Sequence, residues 1–170
     1  MRGFKNLPKE AVYDEMGSPV GLLTIIASSR GLHGIAWDCD SAAYEDVMNG
    51  LVRSQNDKVI AQTKKQLTEY FEGKRKYFEL PLVFNGTSFQ QQAWKQLVKI
   101  PYGKTISYGE QAARMGDKNK ARAVGMANGQ NPISIVVPCH RVIGSNGHLT
   151  GFAGGLDKKA YLLALERRGK

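Results

Sequence analysis

Four consecutive turn-forming residues, Asn85-Gly86-Thr87-Ser88, stand at the midpoint of this 170-residue chain, between the apolar stretch Leu80-Pro81-Leu82-Val83-Phe84 and a new helical pattern. A break there divides the apolar residues, 42% of the chain, between two small cores, and we delimit domains of residues 1–85 and 86–170. Charge divides at the same point. Residues 1–85 hold 11 Lys/Arg and 11 Asp/Glu, whereas residues 86–170 hold 13 and 4, so the whole formal charge of +9 lies in the second half. A field of that sign attracts nucleic-acid phosphates, and also acidic proteins and anionic membrane surfaces.

In the first half, Gly21–Ala27 and Gly31–Trp37 read as two strands, and Ser28-Ser29-Arg30-Gly31 supplies hairpin turn chemistry between them. Ala42–Arg53 is moderately helical. Val59–Phe71 is more so, with Ile60, Lys64, Leu67 and Phe71 at helical spacing and Gly73 as the stop. The expected fold is a small sheet plus helices, an α/β unit without a catalytic set. Cys39 lies between Asp38 and Asp40, which raise a thiol pKa, and His33 reads as structural. The Cys and His spacings of zinc sites are absent, so no metal and no cofactor are expected.

The second half is expected to be mostly helical. Ser88 reads as the cap of a helix whose apolar stripe is Phe89, Ala93, Trp94, Leu97 and Val98, aromatics that suit a core better than a base-stacking platform. Pro101-Tyr102-Gly103 breaks it. Ser107-Tyr108-Gly109-Glu110 has capping-box form and opens a helix reaching Met115, which Gly116 ends. A turn through Asp117-Lys118-Asn119 leads to a second helix, Lys120–Asn128, and helix, turn, helix is a DNA-binding pattern. In that helix Ala121, Ala123, Gly125 and Ala127 offer little that hydrogen-bonds base edges, and Arg122 is the long cation of its first turns. Small residues let a helix backbone approach the minor groove; they equally let a helix pack tightly on its own protein. Both readings stand at this stage.

Pro138-Cys139-His140-Arg141 follows the apolar run Ile133-Ser134-Ile135-Val136-Val137. A thiol beside an imidazole and a guanidinium has the makings of a nucleophile, because such neighbours lower a thiol pKa from about 8.5 toward neutrality. The alternative is a small buried residue at a strand end. Two distant cysteines build no disulfide framework, Met1-Arg2-Gly3-Phe4-Lys5 lacks an apolar signal core, and no apolar run approaches a membrane span, so a reducing cytoplasm is expected. A cysteine protease also uses a Cys-His pair, but no source of an oxyanion hole is evident. A DNA-binding regulator needs only the basic half, with Cys139 a structural residue.

Ile106-Ser107-Tyr108, Ala121-Arg122-Ala123-Val124-Gly125, Asn131-Pro132, Pro138-Cys139-His140-Arg141-Val142-Ile143 and Gly151-Phe152-Ala153-Gly154-Gly155 together resemble the O6-alkylguanine-DNA alkyltransferases. The likeness runs nearly continuously over residues 88–168. Ser18-Pro19-Val20-Gly21 and Tyr70-Phe71-Glu72-Gly73-Lys74 resemble the weaker amino-terminal domain of the bacterial members. The resemblance implies a ribonuclease H-like first domain and a second domain that binds duplex DNA, extrudes an O6-alkylguanine and moves the alkyl group irreversibly onto Cys139, once per molecule. It leaves O4-methylthymine open as a further substrate. By resemblance, His140 takes the thiol proton through a water, Glu166 orients His140, Asn131 braces the turn, and Tyr108 donates a proton to the leaving guanine. Arg122 would fill the vacated stack, with Lys120, Ala121, Ala123 and Gly125 against the DNA. The carbonyls of Cys139 and Val142 and the amide of Ala153 would read the guanine in a pocket shaped by Phe152, Gly154 and Gly155. Phe152 and Ala153 stand where some members have Tyr and Ser, which puts substrate range in question. The implied partner is duplex DNA carrying O6-alkylguanine, with no membrane; a monomer is expected, with cooperativity on DNA left open.

Overall fold

The computed structural model describes residues 4, 6–37, 45 and 47–169. Contacts within the chain separate two compact units, Met1–Asn85 and Gly86–Lys170. Cys39 and the start of the helix expected from Ala42 lie outside the described residues.

The first unit is built on a four-stranded sheet of order β3-β2-β1-β4, comprising β1 (Val12–Ser18), β2 (Gly21–Ser28), β3 (Gly31–Trp37) and β4 (Val52–Arg53). β1, β2 and β3 form antiparallel hairpins, whereas β4 runs parallel to β1 with Val12 opposite Val52. The hairpin of β2 and β3 agrees with its turn chemistry. Gly31 adopts φ +136°, and a Cβ there would collide with the Pro81 carbonyl, so the turn needs glycine for both reasons. Val52 and Arg53 were expected in a helix; instead they pair with β1, because Arg53 reaches the buried Asp14 carboxylate at 2.7 Å.

Successive residues of a strand face opposite sides, and both sides of this sheet are covered. Ile26 and Ala36 pack with Phe4, Ala11, Leu7, Tyr13, Val47 and Leu51. The other side carries Ile25 and its cross-strand partner Asp14, over which α1 (Lys58–Phe71) lies, with Lys64 bonded to Asp14. Burial raises a carboxyl pKa, but the bonds from Lys64 and Arg53 outweigh it and hold Asp14 at about 2. Asp57 caps α1 through Ile60 N–H. Its buried face is Ile60, Thr63, Leu67 and Tyr70 rather than one ending at Phe71, since Tyr70 packs against Phe78 with ring centroids 5.4 Å apart. His33 is buried and shares a 2.7 Å hydrogen bond with Ser28, in keeping with a structural role.

The second unit begins with α2 (Ser88–Val98). Thr87, not Ser88, is its cap: Thr87 and Gln90 exchange side-chain-to-backbone bonds in a capping box. Gly86 stands against the Trp94 ring, where a Cβ would clash. Ala93, Trp94 and Leu97 are buried, Phe89 is half-buried, and Val98 of the expected stripe faces solvent. Then follow β5 (Ile106–Ser107), α3 (Tyr108–Arg114), a 3-10 turn (Lys118–Lys120), α4 (Ala121–Asn128), a second 3-10 turn (Cys139–Arg141), β6 (Val142–Ile143) and α5 (Leu156–Arg168).

The helix-turn-helix is formed by α3 and α4. Ser107 and Glu110 make the capping box of α3, and Gly116 at φ +101° follows its end. The buried amides of Gln111 and Asn128 exchange bonds of 2.7 and 3.1 Å and so lock the two helices together. Trp94 donates to the Ala127 carbonyl at 2.9 Å, so it is a core residue with its polar atom satisfied. No helix among the described residues is long and apolar enough to cross a membrane.

Candidate nucleophile and nucleic-acid interface

The apolar run Ile133–Val137 is a buried turn, not a strand: Val137 N–H bonds the Ile133 carbonyl at 2.9 Å, and Ile135 sits at φ +71°. A β-branched residue in that region costs on the order of 1–3 kcal/mol, and it persists because its surroundings over-determine it. Asn131 clamps the turn, accepting from Ile133 N–H at 3.0 Å and donating to the Val137 carbonyl at 2.7 Å. Cys139 and His140 therefore follow on a 3-10 turn rather than at the end of a strand.

Two residues of strand pairing decide the neighbourhood of Cys139. Ile106 lies opposite Val142 and Ser107 opposite Ile143, which brings the start of α3, Tyr108, alongside the cysteine turn. Cys139 is buried and free. Burial pushes its thiol pKa up; a hydrogen bond with Asn131, the positive Lys159 and nearby backbone N–H groups oppose that rise. Arg141 was expected to share that task. Instead its guanidinium is spent on Glu166, through bonds of 2.9 to 3.2 Å, and on the Ile100 carbonyl at 2.6 Å.

His140 is fully buried, with Nε2 2.7 Å from Glu166 Oε1. Burial disfavours the imidazolium and lowers its pKa, against the pull of Glu166. Burial also raises the Glu166 pKa, but the bonds from His140 and Arg141 prevail and hold it at about 2. An ionised carboxylate accepts only, so neutral His140 carries its proton on Nε2. Its Nδ1 is then a buried lone pair, and it has no hydrogen-bond partner among the described residues. Glu166 Oε2 also accepts from Gly103 N–H at 2.9 Å, tying the Pro101-Tyr102-Gly103 break to α5.

Lys159 was not singled out from the residues alone. Its ammonium, with no exposed surface, donates to the Val142 carbonyl at 2.6 Å and the Thr150 carbonyl at 2.8 Å. It lies 5.9 Å from the Tyr108 ring centroid. Burial lowers its pKa, and the electrostatic influence of Cys139 opposes that fall. Tyr108 donates to the same Thr150 carbonyl at 3.0 Å, and burial raises its phenol pKa, so it holds its proton at neutral pH. The Val142 carbonyl accepts from Lys159, and the Cys139 carbonyl accepts from the Val142 N–H. Phe152 and Gly154 are half-buried and Ala153 is exposed, in a loop closed by Gly155 N–H on the Phe152 carbonyl at 3.0 Å.

The helix of small residues turns out to divide its faces. Val124, Ala127 and Asn128 are buried; Gly125 faces the Tyr108 ring, where a Cβ would sit 3.5 Å from Cδ1; Arg122, Ala123 and Met126 are exposed. Tight packing and open approach are thus both in use, on different sides. Tyr108, Ala121, Arg122, Gly125, Thr150 and Gly151 line a groove of about 630 Å³, whereas Lys120 and Ala123 stand on the surface outside its lining. Among the described residues, no group of three or more His, Cys, Asp or Glu is placed to hold a metal.

Residues 88–168 match the DNA-binding domain model of 6-O-methylguanine DNA methyltransferase, and residues 11–84 match its ribonuclease-like domain. The methylated-DNA--protein-cysteine methyltransferase of Mycolicibacterium paratuberculosis is 47% identical over 156 residues, 92% of each chain. That of Methanosarcina barkeri is 43% identical over 91% of this chain and 96% of its own. The crystal structure of Mycobacterium tuberculosis O6-methylguanine methyltransferase superposes with a TM-score of 0.87 at 41% identity, covering 94% of both chains. A Mycobacterium tuberculosis relative in complex with DNA superposes with a TM-score of 0.82, also at 41% identity, over 92% of this chain and 93% of that one. The two-unit architecture, the helix-turn-helix beside a buried thiol and these likenesses agree: the chain belongs to the 6-O-methylguanine DNA methyltransferase family.

Proposed function

We propose that this protein repairs DNA directly by taking the alkyl group of O6-methylguanine in duplex DNA onto Cys139. The observation that carries the assignment of residues is the buried set Cys139, His140 and Glu166, in which a neutral imidazole keeps one free basic nitrogen beside a thiol turn. In the reaction the Cys139 sulfur attacks the saturated carbon, a new S–C bond forms, and the C–O bond to guanine breaks. The thiol proton passes through a bridging water to His140 Nδ1, and the imidazolium so formed is stabilised by Glu166. Tyr108 supplies a proton to the departing guanine oxygen. No step calls for a metal or cofactor. A thioether is not hydrolysed, so the protein is consumed in one turnover.

A stacked guanine hides the reacting carbon, so the nucleotide must leave the helix. The basic second unit binds phosphates, Arg122 fills the vacancy, and lesion recognition rests on extrusion rather than on a sequence read in the major groove. Mass spectrometry of the intact protein and its peptides, after mixing with a duplex carrying one O6-methylguanine, tests this. One methyl group gained on Cys139 per restored guanine, with no turnover beyond the protein supplied, is the expected result. No methyl transfer by reduced, folded protein that still binds the duplex would leave a DNA-binding regulator as the better reading.

Lys159 provides a positive charge that favours the thiolate over the thiol. Lys159→Met, similar in shape and uncharged, therefore raises the thiol pKa. The pH profile of the single-turnover rate moves to higher pH, and a profile displaced by about one pH unit corresponds to a roughly tenfold lower rate at neutral pH. An unchanged profile in a variant of normal stability would restrict Lys159 to bracing Val142 and Thr150.

A further inference from the structure

Met126 is 64% exposed on a helix whose other outward residues are Arg122 and Ala123. Single exposed apolar residues are common on protein surfaces, and what sets Met126 apart from the exposed Val98, Leu156 and Tyr161 is its place in the groove that Arg122 also lines. Arg122 and Met126 are four residues apart, so they project from the same face, and their Cα atoms are separated by about 6 Å along the axis, close to two base steps. Both line the groove that Tyr108, Gly125, Thr150 and Gly151 also line. Gly125, next to Met126 in the chain, faces the Tyr108 ring. In the minor groove the accessible surface is largely deoxyribose C–H and base edges, and unbranched apolar chains wedge there without needing a hydrogen-bond partner.

We propose that Met126 is a second, apolar insertion residue. Beside Arg122, it packs against the deoxyribose and base edge flanking the extruded nucleotide and helps hold the vacancy open. The proposal rests on the repair reading above and adds a contact independent of charge. It differs from a phosphate contact in a measurable way: removing a phosphate contact flattens the dependence of affinity on salt, whereas removing an apolar wedge does not.

The test is a set of fluorescence-anisotropy titrations over a range of sodium chloride concentrations. The probes are one duplex carrying O6-methylguanine and its undamaged counterpart, with the full chain in a Cys139→Ala background so that transfer does not intervene. Met126→Ala and Met126→Gln are expected to weaken binding to the lesion duplex roughly tenfold at every salt concentration, with an unchanged slope of log affinity against log salt. Met126→Leu should restore it, and the undamaged duplex should change by less than about twofold, since little extrusion occurs there. Parent-like affinity in Met126→Ala, an equal loss on both duplexes, or a flatter salt dependence would each overturn the proposal. Failure of the parent protein, with Cys139 intact, to take up a methyl group would instead remove the repair reading itself, and that outcome is seen without any Met126 variant.

Discussion

Cys139→Ala is expected to take up no methyl group from an O6-methylguanine duplex while binding that duplex within about twofold of the parent, because affinity comes from phosphate contacts and extrusion rather than from the thiol. Cys139 is only 8% exposed and lies outside the lining of the groove that holds Arg122 and Met126. Deleting one sulfur atom leaves a small cavity that costs about 1 kcal/mol, too little to unfold the unit. Cys139→Ser should be equally inactive, since a hydroxyl is a far weaker nucleophile at neutral pH. Transfer is read by peptide mass spectrometry and affinity by fluorescence anisotropy. Methyl uptake by the alanine variant at any other residue would show a second acceptor and refute the assignment.

Glu166→Gln should have the second largest effect, on stability and rate together. Glu166 and His140 are fully buried and Arg141 nearly so, and neutralising the carboxylate leaves a buried guanidinium without its counter-charge. Breaking a buried pair from one side costs about 3–5 kcal/mol. The folded carboxyl titrates at about 2, below its ordinary 4.5, so its stabilisation is present above pH 4.5 and is lost as pH falls from there toward 2. Denaturant titrations between pH 2 and 7 should show that loss in the parent and a flatter profile in the variant. The amide oxygen still accepts from His140 Nε2 and preserves the tautomer, but it no longer stabilises the imidazolium, and single-turnover transfer should fall about 100-fold. Parent-like acid stability in Glu166→Gln would show that the carboxylate is not the group that loses its charge there.

Methylation itself places an added group in a packed site. Ile135 is strained in the turn that precedes Cys139, and Asn131 clamps that turn with two hydrogen bonds. An added methyl in such a core costs about 1–3 kcal/mol.

Local signals were readable where they were strong. The hairpin at Ser28–Gly31, the helix closed by Gly73, the Ser107–Glu110 capping box and the α3–turn–α4 pattern are all written in short-range periodicity and turn chemistry. Weaker signals misled by small margins: Thr87 rather than Ser88 caps α2, and Tyr70 rather than Phe71 completes the buried face of α1, because neighbouring residues of one type compete until packing chooses between them. β4, β5 and β6 are two residues each, too short for any alternation to register. Lys159 has no neighbour in the chain that signals its role, a buried ammonium held by two carbonyls.

The residues by themselves determined the division at Asn85, the concentration of positive charge in the second unit and the helix-turn-helix, because charge, turn propensity and periodicity are properties of neighbours in the chain, whereas the role of Cys139 came from the resemblance of its motif to a family. Only the tertiary structure decided which groups act on which. Arg141 serves Glu166 rather than Cys139, Lys159 rather than Arg141 supplies the positive charge near the thiol, and Met126 stands open in the groove that Arg122 lines. The first two of those assignments join residues 25 and 20 positions apart in the chain, and electrostatic and packing energies depend on distances of a few ångströms that sequence separation does not encode.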